Sequence, residues 1–204
     1  MDQAFFALSI IGTAIFAASG ALVAAEHKFD VIGAIFLSVA AGLGGGTIVN
    51  LLTGAAVSWL TTPELLWAAL VSAFVVFESV RFIKVPDKAL AWADAAGLAL
   101  FTATGMKSLL ALDIDPAVTL FLSAIGATGG GIVRDVLANR PPMVFSGEIY
   151  VTAALLGSLT YLLCNINQAP EWWSMSGAIL VTFLIRSAGI LFQIRLREGR
   201  ISGT

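Results

Sequence analysis

The chain has 204 residues, of which 58% are hydrophobic and only 12% charged, and its mean hydropathy is +0.93. A soluble domain carries roughly 25% charged residues. So few charges cannot cover a water-facing surface, and the chain reads as an all-α integral membrane protein. Its formal charge of −2 says little about partners, because orientation in a membrane follows the lysines and arginines of the loops. One cysteine, Cys164, excludes an intrachain disulfide, and one histidine, His27, leaves no Cys/His cluster for a metal. No cofactor, metal or nucleic-acid partner is expected.

A helix needs about 20 mostly apolar residues to cross a bilayer, and seven stretches qualify as candidates. The first, about 4–25, follows an acidic "MDQ" rather than a basic leader, so it reads as a span and not as a cleaved signal. The second, about 31–58, holds Gly44, Gly45 and Gly46. At 1.5 Å per residue it would be about 42 Å long, more than the ~30 Å core of a bilayer, and the triplet is where it should tilt or break. The third, about 65–83, ends with Glu78 and Arg81 at pairing distance on one face. The fourth, about 89–110, carries Asp94 near its start, placed to cap the helix or face a vestibule, and Lys107 near its end. The fifth, about 116–139, holds Gly129, Gly130 and Gly131, then Arg134 and Asp135, and stops before Pro141 and Pro142. The sixth spans about 148–164. The seventh, about 172–193, contains Arg186, which reads as a structural charge, and a tail 194–204 follows.

The charges between these stretches alternate. Lys28, then Arg81, Lys84 and Lys88, then Arg140, then Arg195, Arg197 and Arg200 lie on one side; the other side has only Glu64, Asp113, Asp115 and Glu171. By the positive-inside rule the N-terminus is outside and the C-terminus cytoplasmic.

The chain also repeats itself, without a gap, at a constant offset. Gly46 falls on Gly131, Gly12 on Gly97, Phe16 on Phe101, Asp30 on Asp115, and "FLS" at 36–38 on "FLS" at 121–123. Repeat one is about 4–83 and repeat two about 89–164, with the seventh helix unpaired. Three spans per copy force the second copy to enter from the opposite side. The fold class is therefore seven transmembrane helices in an inverted 3+3 repeat plus one, in a single membrane domain. Inverted repeats characterise transporters and some channels, with the solute path at the repeat interface.

Two readings of the glycine triplets compete, close packing and a helix break at a central pathway, and their equivalent places in an inverted pair favour the pathway, with packing contributing. Gly42/Gly46 and Gly126/Gly130 have the small-xxx-small spacing of closely packed helices. A break would instead free backbone groups, tolerated only beside protein or a water-filled path, where carbonyls suit a partly dehydrated monovalent cation. Charges at membrane depth are functional candidates by default, which singles out Lys107, Arg134 and Asp135. Arg134 and Asp135 are neighbours about 100° apart on the helix, so they should need different partners. At the equivalent positions of the first copy stand Val49 and Asn50. Lys107 could equally snorkel to the interface. Moving one charge through 100 mV is worth about 2.3 kcal/mol, so one or two such residues would give only shallow voltage dependence. Walker and GxGxxG motifs are absent, and a lone loop histidine leaves no catalytic triad; no enzyme is expected.

The segments "GTAIFAASGALVAAEHKFDVIGAIFLSVAAGLGGGTI" and "GATGGGIVRDVLANRPPMVF" closely resemble prokaryotic members of the trimeric intracellular cation (TRIC) channel family, over nearly the whole chain. The resemblance implies a homotrimer in the prokaryotic plasma membrane. It implies a pore inside each protomer around helices 2 and 5, and passive permeation of potassium and sodium. Many such relatives carry Arg-Asp after both triplets, whereas this chain has Val49-Asn50 after the first. The rival expectation is a facilitator or secondary transporter of a small neutral solute such as glycine.

Overall fold

Asp30 and Asp115, equivalent positions of the two repeats, build the same device. The Asp30 carboxylate accepts from the Gly33 N–H at 2.7 Å, and that of Asp115 from Ala117 N–H at 2.9 Å. Each satisfies amide groups that the first turn of a helix leaves open, and each starts the second helix of its repeat. The structure is a computed structural model that describes residues 3–196, so Arg197 and Arg200 of the predicted tail lie outside the described residues.

Among the described residues there are eight α-helices: α1 (Gln3–Glu26), α2 (Val31–Thr53), α3 (Ser58–Thr61), α4 (Glu64–Ser79), α5 (Ala89–Leu110), α6 (Pro116–Leu137), α7 (Val151–Ile166) and α8 (Glu171–Phe192). A 3-10 turn covers Met143–Phe145. Five of them, α1, α2, α5, α6 and α8, are long and apolar enough to cross a membrane by length and composition. Helices α4 and α7 have 16 residues each, about 24 Å. They are the third helix of each repeat, so the shorter length is itself duplicated.

The expected second helix is cut short. Gly54 takes the left-handed conformation (φ 69°) and closes α2 at Thr53, leaving residue 58 to the separate turn α3. At 23 residues α2 is about 35 Å long, and the excess length that called for a break is gone. Helix α4 ends at Ser79, not 83, and α7 starts at Val151, not 148.

Equivalent helices of the two repeats pack against each other, α1 on α5 and α2 on α6. Both pairs are antiparallel. Gly12 faces Leu100 and Phe101, while Gly97, earlier on α5, faces Phe16, later on α1. Ala41 faces Gly130, while Val49 faces Gly126. Rising numbers on one helix meet falling numbers on its counterpart, as an inverted repeat demands. The related residues Phe16 and Phe101 stack on each other, with ring centroids 5.2 Å apart and planes at 10°, on the approximate twofold axis. Helix α8, outside the repeat, packs on α5 and α7.

Both triplets lie within uninterrupted α-helix. The break expected there is not present; close approach is what the glycines provide. A Cβ on Gly45 would overlap the carbonyl oxygen of Gly126, and a Cβ on Gly130 would overlap that of Ala41. These two contacts are related by the repeat offset. A Cβ on Gly129 would stand 3.1 Å from the Cα of Gly45. Backbone therefore rests on backbone where α2 crosses α6, which any larger residue prevents. The third glycine of each triplet does something else: a Cβ on Gly46 would meet nothing within 4 Å among the described residues.

Gly45→Ala or Gly130→Ala should therefore lower stability by about 1–3 kcal/mol or more, the range for overpacking a tight interior. Gly46→Ala, one residue away, should leave it unchanged or slightly raised. Thermal unfolding of the detergent-solubilised variants checks the contrast. Equal losses at positions 45 and 46 would refute the packing account.

Candidate functional site

The end of the bundle where α1 begins contains a cavity of about 340 Å³ lined by residues of α1–α6. Its walls mix aromatic rings (Phe5, Phe6, Trp59, Phe101) with hydroxyls, and none of the described lining residues is charged. Its deep end reaches Gly42, Gly46 and Gly126, so the α2–α6 crossing forms its floor.

The hydroxyls are not neutral in their hydrogen bonding. Ser9, Thr47, Thr53, Thr104 and Ser108 each donate their proton to a carbonyl four residues earlier on their own helix, at 2.8–3.0 Å. A hydroxyl has one proton and two lone pairs, so what these residues can still offer is acceptor oxygen. Asn50 behaves alike. Its amide nitrogen donates to the Ala56 carbonyl and to Ser58 Oγ, both at 2.9 Å, which leaves Oδ1 as an acceptor. The orientation is fixed, because a carbonyl can only accept. The Trp59 indole N–H is also committed, to Thr47 Oγ1 at 3.0 Å. Among the described lining residues, Thr13, Ser58 and Thr62 make no such donation and are the exceptions. Apart from these three, the polar side chains of the lining offer acceptor oxygens.

Toward the other end, the way is closed twice. Phe101 lines the cavity and stacks on the fully buried Phe16. Beyond this pair sits a cluster of fully buried charges on α5 and α6. Arg134 Nη1 donates to Asp94 Oδ1 at 2.5 Å and to Ser19 Oγ at 2.7 Å, and its Nε donates to Asp135 Oδ1 at 3.0 Å. Asp135 further accepts from the Met143 N–H at 3.3 Å, and Arg140 Nε lies 3.7 Å from its Oδ1. Neighbouring Arg134 and Asp135 thus bond each other, contrary to the expectation that they need separate partners. The guanidinium is long enough to fold back across one residue while still reaching Asp94. Asp94 neither caps α5 nor faces a vestibule; it is the principal partner of Arg134.

Three polar atoms of this cluster, Asp94 Oδ2, Arg134 Nη2 and Tyr150 Oη, have no hydrogen-bond partner among the described residues. They converge on Gly131, where a Cβ would stand 3.0 Å from Tyr150 Oη, 3.6 Å from Asp94 Oδ2 and 3.7 Å from Arg134 Nη2. The third glycine of the second triplet leaves room for the charged cluster, as its counterpart Gly46 leaves room for the cavity.

That correspondence extends to the side chains. Displaced by the repeat offset, Ser19, Asp94, Arg134, Asp135 and Tyr150 fall on Thr104, Ser9, Val49, Asn50 and Leu65. All five of these line the cavity. The approximate twofold axis therefore carries the closed, charged half of the interface onto the open, uncharged half.

The remaining candidates lie elsewhere. Lys107, in the last turn of α5, pairs with Glu171 at the start of α8, and its Nζ stands 5.1 Å from the centre of the Phe5 ring. It reaches the rim of the cavity through Phe5 and does not join Arg134. Arg186 is fully buried, pairs with Glu148 at 2.6 Å and lies over the Tyr150 ring. Glu78 and Arg81 pair at 3.1 Å. Among the described residues no group of three or more His, Cys, Asp or Glu side chains could hold a metal ion.

An inverted three-helix duplication, an uncharged cavity in one half and a buried charged cluster in the other together define a polytopic membrane protein. A family profile described as "Glycine transporter" matches residues 6–80 and again 91–165, the same displacement as the glycine triplets. The UPF0126 inner membrane protein YadS of Escherichia coli (strain K12) is 36% identical over 193 residues, 93% of each chain. The TRIC trimeric intracellular cation channel orthologue from Rhodobacter sphaeroides superposes with a TM-score of 0.90 at 33% identity, covering 95% of this chain and all of that one. A prokaryotic TRIC channel in 0.5 M KCl gives 0.88 at 31% identity, covering 96% and 100%. The chain belongs to this prokaryotic TRIC family, with the UPF0126 membrane proteins among its relatives.

Removing one member of a buried ion pair leaves the other uncompensated, at a cost of about 3–5 kcal/mol. Arg134→Met should destabilise by that order. Arg134→Met combined with Asp94→Ala should lose less than the sum of the two single changes. A double-mutant cycle by thermal unfolding measures the coupling, and strict additivity would contradict the pairing.

Proposed function

We propose that this protein is a channel for monovalent cations, potassium and sodium, with one path inside each protomer between α1, α2, α5 and α6. The observation that carries the proposal is the lining of the open half: side-chain oxygens most of whose protons are already committed, and no positive charge. Such a surface solvates a cation with part of its water shell and gives an anion little to bind. The TRIC structures it resembles at TM-scores of 0.87–0.90 support the same class of solute.

The protein forms a homotrimer in the lipid of the prokaryotic inner membrane. All the helices named above except the short turn α3 are its spans. The alternation of loop charges puts the cavity end outside and the end carrying Arg195 in the cytoplasm. Arg134, held by Asp94 and Asp135, is the closure on the cytoplasmic half, and opening requires it to leave the axis. Lys107 acts at the outer rim, where its charge tunes entry, and Asn50 presents its Oδ1 in the path. The glycine triplets serve the path by bringing α2 and α6 together and by clearing space at Gly46 and Gly131.

The second reading is a facilitator for a small neutral solute such as glycine, favoured by the description of the matching family profile. Zwitterionic glycine needs donors for its carboxylate as well as acceptors for its ammonium. The lining is rich in acceptors and holds no arginine or lysine among the described residues, which weighs toward the cation.

In a planar bilayer under a potassium gradient, the purified protein should pass unitary currents that reverse near the potassium potential. Arg134→Ala should raise open probability, and Lys107→Ala should change conductance. No currents together with saturable glycine uptake into liposomes would replace the channel by the transporter. Currents unaffected by both substitutions would remove the two residues from gating.

A further inference from the structure

The two halves of the interface differ in a way that suggests a specific ligand. In the closed half, the guanidinium of Arg134 is held by three oxygens, from Asp94, Asp135 and Ser19. Carried through the twofold axis, those groups become Ser9, Asn50 and Thr104, and the arginine itself becomes Val49. All four line the cavity. The open half is thus equivalent to the closed half with its guanidinium side chain cut back to valine, while an oxygen remains at each position that held it.

Those oxygens have the hydrogen-bonding character that the missing group requires. Ser9 and Thr104 donate their protons to Phe5 O and Leu100 O, at 2.9 and 3.0 Å. Asn50 has both amide protons engaged. Each can only accept, and a guanidinium has only donors, five on the arginine side chain and no acceptor. The cavity is large enough for a small organic ion, and the Phe101 ring lies in its wall, a surface on which a planar cation stacks.

We infer that the cavity carries a binding place for a free guanidinium-type cation, at the position equivalent to the head group of Arg134. Such an ion bound there occludes the open half as the arginine occludes the closed one. The carboxylates are replaced by neutral oxygens, so binding is weak. The Lys107 ammonium near Phe5 is engaged by Glu171 and does not fill the place. The block rests on the channel reading above; the binding does not.

Saturation-transfer NMR on the detergent-solubilised full chain tests the binding, with methylguanidinium as probe. Two controls separate its properties: urea is planar without charge, and tetramethylammonium is charged without N–H donors. Methylguanidinium should saturate in the millimolar range and the two controls should not. Asn50→Asp restores the carboxylate of the equivalent position and should tighten binding about tenfold, as a charge-assisted bond replaces a neutral one. Val49→Arg should abolish it by supplying the guanidinium from the chain. Should that variant fail to fold, Ser9→Ala with Thr104→Val decides, with an expected loss of about fivefold or more from two acceptors. No saturable binding, or binding indifferent to these substitutions and matched by urea, overturns the inference. In bilayers, methylguanidinium added on the cavity side should block potassium currents in the wild type. Currents without the NMR pattern would leave the channel reading standing and remove this one. The NMR pattern without any current would do the reverse.

Discussion

Everything in the interior is arranged around one contact: the backbone of α2 resting on the backbone of α6 at Gly45 and Gly130. Because equivalent atoms meet there from both sides, the contact fixes the axis relating the two repeats. It sets how near the helices approach, and from this follow the stacking of Phe16 on Phe101 and the positions of Gly46 and Gly131 facing opposite halves. Exclusion of side chains is sufficient at the crossing, and glycine is the only residue that permits it.

An exact duplication would give two identical halves, either both open or both closed. This chain has instead diverged at most positions while keeping both glycine triplets, and a few of the changes set the charge of each half. Arginine and aspartate in one copy stand opposite valine and asparagine in the other, and aspartate on α5 stands opposite serine on α1. None of these changes falls on the glycine triplets themselves. Each is decisive for the electrostatics, since charges at this depth survive only when paired. The division of labour is therefore strict: glycines hold the frame, and the residues one turn beyond decide which half is open and which is filled by charge.

Much of this is legible from residues alone. The duplication and its offset, the inverted arrangement, the presence of Arg134 and Asp135 as charges at membrane depth, and the Glu78–Arg81 pair all follow from spacing. Three things do not. The triplets are open to two accounts, and a sequence does not distinguish a glycine that bends a helix from one that admits a neighbouring backbone. Asp94 is visible as an intramembrane acid but not as the partner of Arg134, because a long stretch of chain and a helix crossing separate them. Sliding the chain by the repeat offset pairs Asp94 with Ser9 as well as Arg134 with Val49, and the joint loss of both charges in one copy is the available signal. The acceptor-only lining is hidden too, because it depends on where each hydroxyl sends its proton.

Helix α8 has no counterpart in the duplication, and it packs on α5 and α7 of the second copy. Lys88 Nζ, at the start of α5, donates to the Ile190 carbonyl near its end at 3.2 Å, and Arg186 pairs with Glu148 ahead of α7. Among the described residues it is the charge-bearing copy that is braced in this way. The element outside the duplication therefore breaks the twofold symmetry on the same side as the buried charges.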